Sequence, residues 1–296
     1  MPKPRHVLNA RANFLGIDSC CGWEESQVVV LPAPLEETTS YMKGTLHGPA
    51  ALIQASHQVE FFDDELKTET FRKGIATLPA LRFQGKSAKA SIRLIEDRVS
   101  EILQNGKKPL LIGGEHTVSI GAIQACRRMH PDLSVLHLDA HTDLRDTYEG
   151  SPYNHACVMA RVMDSCPFVS VGIRSLSVEE FNRIHADGLQ VFDIHTMRTD
   201  THWMQKSMDG LGDTVYVTLD LDALDPAILP SVGTPEPGGM GWRECLDFLK
   251  HVFQEKRVVG LDVVELSPRK GTEHGVFAAA KLTYRLIGYW LHRNEQ

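Results

Sequence analysis

Between residues 134 and 146 the chain reads SVLHLDAHTDLRD. The first half is an apolar run, and the second sets Asp139, His141 and Asp143 at alternate positions. Alternate side chains of an extended backbone leave on one side, so strand geometry persisting through this stretch would aim all three the same way. Two carboxylates and an imidazole converging on one point are ligands for a divalent cation. Three other apolar runs end in residues of the same kind. Glu115 and His116 follow LLIGG, Asp220 and Asp222 close VTLDLD, and Glu265 follows VGLDVV. Open parallel sheets bind ligands beyond the carboxyl ends of their strands, so these four runs imply one shared site. Carboxylates crowded there raise one another's pKa unless a cation or a proton offsets them.

Asp and His ligands without a thiolate suit a borderline-hard ion such as Mn²⁺ better than a structural zinc. The set holds more ligands than one small ion can accept while also binding water. Two ions roughly 3.5–4 Å apart, bridged by carboxylates, would use them all and generate a strong nucleophile from water at neutral pH. Other acids and histidines have plainer readings. Asp225 precedes Pro226 and reads as a turn residue. Asp262 has the wrong strand parity to share a face with Glu265 and reads as structural or supporting. His137 has the right parity but sits deeper in its run, and is expected to be a hydrogen-bonded core histidine. His274 follows Glu265 closely enough to be a candidate for the pocket wall.

Seven apolar runs rich in Val, Leu and Ile must position these groups: residues 27–34, 108–114, 133–141, 167–175, 189–195, 214–222 and 256–266. They read as strands buried on both faces. Helical periodicity lies between them, over 87–105 (apolar at Ile92, Leu94, Ile95, Val99, Ile102 and Leu103) and over 117–130. Strands alternating with helices predict an α/β domain with a parallel sheet. No repeat, low-complexity block or linker divides the 296 residues, so one domain is expected, with a short N-terminal extension over about residues 1–24. The Pro/Gly-rich stretch 225–241 follows directly on a strand end and reads as an active-site loop.

Composition narrows the partners. A hydrophobic fraction of 42%, 23% charged residues and a formal charge of −7 describe a globular protein with no basic stripe. No nucleic acid and no membrane are therefore expected as partners, and a small cationic ligand is. The absence of an apolar leader or of a run of about 18 apolar residues predicts a cytoplasmic protein. Six cysteines without C-x-x-C spacing read as reduced, mostly packed thiols, and the pair Cys20-Cys21 has no assigned role. The four tryptophans are scattered and read as packing groups.

Three stretches, GGEHTVS, DAHTDLRD and TLDLDALDPAILPSVGTPEPGG, resemble in order and spacing the signature motifs of the ureohydrolases, the family of arginase and agmatinase. SYMKGTLHGPAALIQAS and LDVVELSP extend the resemblance over nearly all of the chain, and it is closest to agmatinases of the bacterial type. It implies a three-layer α/β/α fold with a parallel sheet of eight strands. It also implies two Mn²⁺ per chain, one held by His116, Asp139, Asp143 and Asp220 and the second by Asp139, His141, Asp220 and Asp222, with Asp139 and Asp220 bridging. Asp143 would receive the proton of the attacking hydroxide, Glu265 would bind the substrate guanidinium, and His155 in SPYNHACVM would shuttle protons to solvent. The first motif usually carries Asp where this chain has Glu115.

The reaction so implied is hydrolysis of a guanidino group to urea and an amine. No basic residue between Thr147 and Ala160 could pair a substrate carboxylate, although Arg145 and Arg161 flank that loop. Agmatine, giving putrescine for polyamine synthesis, is therefore the favoured substrate over arginine, guanidinobutyrate or another ω-guanidino acid. A two-metal phosphoesterase would need cationic phosphate ligands that the acidic strand ends lack. A non-catalytic binding protein of the same fold would be expected to have lost ligands that are all present here. Ni²⁺ or Co²⁺ could replace Mn²⁺ on the same donors, and the resemblance implies a homo-oligomer, a trimer or hexamer.

Overall fold

The structure, a computed structural model, describes residues 7–293. Its main sheet has eight strands: β1 (Val28–Ala33), β2 (Ile75–Thr77), β3 (Lys108–Gly113), β4 (Leu133–Leu138), β5 (Phe168–Ile173), β6 (Gln190–Asp193), β7 (Thr214–Asp220) and β8 (Arg257–Val264). They lie in the order β2-β1-β3-β8-β7-β4-β5-β6. Every pairing is parallel. A parallel sheet needs crossovers that cover both faces, and the sequence supplies them as helices.

Nine helices are described: α1 (Gly48–Ser56), α2 (Ala88–Gln104), α3 (Val118–Met129), α4 (Val158–Met163), α5 (Val178–Asp187), α6 (Ile194–Thr199), α7 (Trp203–Asp209), α8 (Trp242–Glu255) and α9 (Glu273–Leu291). Alternate strand residues feed two cores. Val28, Val30, Ile112, Leu138, Leu219 and Val263 face α1 and α6–α9. Val29, Leu31, Leu111, Val135, Tyr216 and Val264 face α2–α5. The result is the three-layer α/β/α sandwich that the resemblance implied.

Local chemistry sets the ends of these elements. Ser87 caps α2 by accepting from the Ala90 N–H, and α2 and α3 match the periodic stretches closely. Asp193 caps α6 in the same way, which ends the run 189–195 earlier than its composition suggests. The eighth strand is the three-residue β2, too short to stand out as an apolar run. It pairs along one edge of β1, register Val28 to Ile75. The stretch ahead of β1, read as an extension, is packed in: Phe14 and Leu15 are buried. Their N–H groups donate to Thr77 Oγ1 and Ser56 Oγ at 2.9 and 2.8 Å. Residues 1–6 of that stretch lie outside the described residues.

All six cysteines are free thiols, four of them buried. Trp203 packs against Phe248 with ring centroids 4.9 Å apart. Among the described residues no helix is long and apolar enough to cross a membrane.

The turn after β3 is packed tightly against the chain leaving β1. Gly114 donates its N–H to the Ala33 carbonyl at 2.9 Å, and a Cβ at Gly114 would run into the Leu35 carbonyl. The fold therefore needs glycine here for close approach of two backbones. Gly114→Ala is expected to destabilise by about 1–3 kcal/mol, seen as a lower urea midpoint with an unchanged slope.

Candidate active site

The four strands whose ends carry the candidate ligands, β3, β8, β7 and β4, are consecutive neighbours at the centre of the sheet. Register aligns Val264 with Asp220 across β8 and β7, and Leu138 with Leu219 across β4 and β7. His116, Asp139, Asp220 and Glu265 therefore rise from one rim although as many as 149 residues separate His116 from Glu265 in the chain. His116, Asp220 and Glu265 line a cleft of about 230 Å³ together with His141, Asp143, His155 and Asp222, and Asp139 is buried against His116 and His141.

His116 Nδ1 lies 3.1 Å from Asp139 Oδ2, 3.2 Å from Asp143 Oδ2 and 3.5 Å from Asp220 Oδ2. His141 Nδ1 lies 3.1 Å from Asp222 Oδ2 and 3.4 Å from Asp139 Oδ1. Asp139 thus faces both imidazoles, and among the described residues two groups of metal-type ligands share it. Backbone donors pin the carboxylates. The N–H groups of His141, Asp222, Ala140 and His116 donate to Asp139, Asp220, Asp222 and Glu265 at 2.6, 2.9, 3.0 and 2.6 Å.

The convergence does not arise from a continuing strand, as alternate spacing suggested. β4 ends at Leu138, and Asp143 reaches the site because its backbone turns into the left-handed region, φ 51°. Glu265 does the same at φ 65°. Such backbone outside glycine is strained and collects at functional sites. Both residues put in catalytic roles by the family resemblance at strand ends carry it.

The ring of His116 shows what belongs beside it. Its Nε2 meets Thr218 Oγ1 at 2.9 Å, and the Thr218 hydroxyl donates to Asp262 Oδ1 at 2.7 Å. With the Thr218 proton committed to a carboxylate, Nε2 is the donor, and the neutral ring carries its lone pair on Nδ1. That Nδ1 is buried and makes no hydrogen bond. A lone pair facing three carboxylate oxygens is repulsive unless a cation sits among them, and nitrogen and oxygen donors without thiolate suit a hard or borderline divalent ion. The residues fit such an ion.

Protonation follows the same electrostatics. Burial raises the Asp220 carboxyl, and Asp222, Asp139 and Glu265 push it further, well above the usual range. Burial also raises Glu265, with Glu115 and Asp222 adding to it against the His116 N–H. Asp139 goes the other way: burial opposes ionisation, but His137, His116 and His141 outweigh it. For His116 and His141 burial favours the neutral ring, and the facing carboxylates override it and raise both. Positive charge is stabilised at two points in this cleft.

Neighbouring residues have clear places. His137 is fully buried with Nδ1 on Ser170 Oγ and Nε2 on Asp139 Oδ2, both at 2.9 Å, a hydrogen-bonded histidine as expected. Asp262 accepts from Thr218 and from Tyr216 at 2.7 Å each, so it supports His116 from beneath. Asp225 accepts from the N–H groups of Ala227, Gly238 and Gly239 and organises the loop 225–241, which sends Gly233 and Thr234 to the cleft wall. His274 is exposed at the start of α9 and takes no part in lining the cleft.

Arg145 reaches the cleft, but its guanidinium lies 4.9 Å from the Tyr148 ring centroid and 3.8 Å from Glu180 Oε2. Arg161 is turned to Asp146 and Asp164. Sequence reasoning missed Thr218 and Tyr216, whose alternation with Asp220 along one strand was the available signal. It also missed Glu180, which accepts from Thr142 Oγ1 at 2.7 Å and the Leu144 N–H at 3.1 Å while closing the capping box with Ser177. The loop residues Thr39–Met42 line the cleft without any residue-level signal of that role.

A parallel α/β sandwich with acids and histidines able to hold a metal ion at the strand ends places the chain among α/β proteins with a metal-type cleft. Comparison with known proteins narrows it. Residues 26–288 match the model of the arginase family. The chain is 38% identical to N(1)-aminopropylagmatine ureohydrolase of Synechocystis sp., covering 98% of this chain and 97% of that one. It is 35% identical to agmatinase of Bacillus anthracis over 93% and 96% of the two chains. The solved structure of agmatine ureohydrolase of Thermoplasma volcanium superposes with a TM-score of 0.85 at 30% identity, over 93% and 94% of the chains. The chain belongs to the arginase family and is a ureohydrolase, acting on the C–N bonds of small guanidino compounds.

The role of Thr218 can be tested directly. Thr218→Val removes the acceptor that meets His116 Nε2 and is expected to weaken binding of a divalent metal ion by about 10–100-fold. Titration calorimetry would give this, and unchanged affinity would remove Thr218 from the metal centre.

Proposed function

We propose that the chain hydrolyses the guanidino group of a carboxylate-free guanidinobutylamine, agmatine in the first instance, to urea and an amine. His116, Asp139, Asp143 and Asp220 would hold one Mn²⁺, and Asp139, His141, Asp220 and Asp222 a second. When bound, the ions supply Lewis acidity and lower the pKa of water, which a resonance-stabilised guanidinium carbon requires of its nucleophile. The observation that carries the metal assignment is the orphaned His116 Nδ1 facing three carboxylates.

The chain's own groups then divide the work. Glu265 Oε1 is held by the His116 N–H at 2.6 Å, leaving Oε2 to accept from a guanidinium and aim its carbon across the cleft floor. Asp143 accepts the proton released on attack and returns it toward the departing amine. His155 on the cleft wall exchanges protons with solvent.

Substrate choice rests on charge. The sole Lys or Arg among the described lining residues is Arg145, already engaged by Tyr148 and Glu180. A substrate carboxylate would have to draw Arg145 away from these two neighbours, which supports agmatine over arginine or guanidinobutyrate. A second reading, N(1)-aminopropylagmatine, is favoured by the higher identity to the Synechocystis protein than to the B. anthracis agmatinase. Its added amine is compatible with the same acidic cleft.

Urea release by Mn²⁺-loaded protein from agmatine, N(1)-aminopropylagmatine, arginine and guanidinobutyrate tests this reading. The two amines are expected to exceed the two acids in kcat/KM by at least about tenfold; faster turnover of either acid would overturn the carboxylate argument. Glu265→Gln is expected to keep both metals and lose about 100-fold or more in kcat/KM, whereas Asp139→Asn is expected to lower the metal stoichiometry below two per chain. Full occupancy and normal turnover in either variant would refute the role given to that residue.

A further inference from the structure

Glu115 stands where the first motif usually has Asp, and its carboxylate is bonded to the loop at residues 37–38. It is fully buried. Oε2 accepts from the backbone N–H groups of Glu37 and Thr38 at 2.7 Å each, and Oε1 accepts from the Thr38 hydroxyl at 3.0 Å. Thr38 Oγ1 in turn meets His155 twice: the His155 backbone N–H donates to it at 3.0 Å, and His155 Nδ1 lies 3.2 Å away. Loops 117 residues apart in sequence thus meet at one hydroxyl oxygen.

Counting protons at that oxygen decides the state of the ring. A threonine hydroxyl has one proton to give and two lone pairs to receive with. A carboxylate is the stronger acceptor, and the charge-assisted bond to Glu115 Oε1 takes the proton. Both lone pairs then face His155, one toward its backbone N–H and one toward Nδ1. A neutral Nδ1 lone pair there would meet a filled oxygen lone pair, so Nδ1 must carry hydrogen. Nε2 is left as the free nitrogen of a ring that lines the cleft.

We propose that Thr38 and Glu115 are positioning residues that lock His155 in its Nδ1–H tautomer and present Nε2 to the substrate. They act only through His155. For turnover the inference rests on the ureohydrolase reading and on His155 as proton carrier, but the tautomer follows from the hydrogen bonds alone. A free ring would divide its time between tautomers and rotamers, and each departure would cost proton-transfer events without touching substrate binding.

Two measurements test it. Thr38→Val is nearly isosteric but lacks the hydroxyl, and is expected to lower kcat about tenfold with KM unchanged, while Thr38→Ser stays within about threefold of the parent. In a His155→Asn background Thr38→Val should add no further loss, because the group it positions is gone. Equal losses in both backgrounds, or a Thr38→Val enzyme with parent kcat, would overturn the proposal. The second measurement needs no turnover. Solid-state ¹⁵N spectra of histidine-labelled, Zn²⁺-loaded protein, with the His155 signals identified by their absence in His155→Asn, should show a protonated Nδ1 in the parent and in Thr38→Ser and a mixture in Thr38→Val. A protonated Nε2 in the parent, or the same spectrum in all three, would sink the tautomer lock. If the spectra agree but no guanidino substrate is hydrolysed, the functional reading fails and the lock stands.

Discussion

Mutual repulsion of buried carboxylates is the constraint on which the rest of this structure depends. Asp139, Asp143, Asp220, Asp222 and Glu265 are all within a tenth of full burial, and each raises the cost of ionising the others. Such a cluster survives only where positive charge is provided. Part comes from fixed backbone N–H groups at four of the carboxylates; His116 and His141, whose protonated form the acids favour, add charge only while no ion occupies their nitrogens. The remainder calls for cations. The left-handed backbones at Asp143 and Glu265, of order 1–3 kcal/mol each, persist where the surrounding structure over-determines them.

Beneath the cluster runs a second polar row. Asp262, Thr218, His137 and Ser170 lie side by side across β8, β7, β4 and β5, one pleat below the site and with scarcely any exposure. Each is hydrogen-bonded, either to its neighbour or upward to His116 or Asp139. A buried polar network satisfied in this way is rigid, since any member that turns away leaves a partner unpaired. It turns the sheet from a passive floor into the device that fixes ring orientation at the ligands. The rim is built differently. Loops carrying Tyr41, Arg145, Tyr148, Ser175 and Thr234 surround the opening, and loops can vary without disturbing the floor. This separation suits a family in which one hydrolytic centre serves several guanidino compounds.

Much of this was legible in the chain. Seven of eight strands, α2 and α3 were readable because hydrophobic period and length are local properties. The candidate ligands were readable because acids and histidines at the ends of four apolar runs are costly unless they share a purpose. The three-residue β2 was not readable, as its pairing with β1 provides what its own composition does not. Nor was the docking of Phe14 and Leu15, which depends on hydroxyls at Thr77 and Ser56 far along the chain.

What the sequence by itself determined is therefore the inventory: a parallel α/β sandwich, an acid and histidine set at strand ends, and a resemblance that assigns it to guanidino hydrolysis. Tertiary structure decided the adjacency. Only strand order makes β3, β8, β7 and β4 neighbours. The left-handed turn at Asp143, not an extended pleat, brings its carboxylate to His116. Contacts across the fold alone show that Thr218 meets the His116 ring, that Glu115 binds Thr38, which in turn meets His155, and that Arg145 rests against Tyr148 and Glu180. The physical reason is common to all of these. Periodicity and capping act over a few residues, whereas the direction of a side chain at a strand end is set by neighbours that the chain brings together from a hundred residues away.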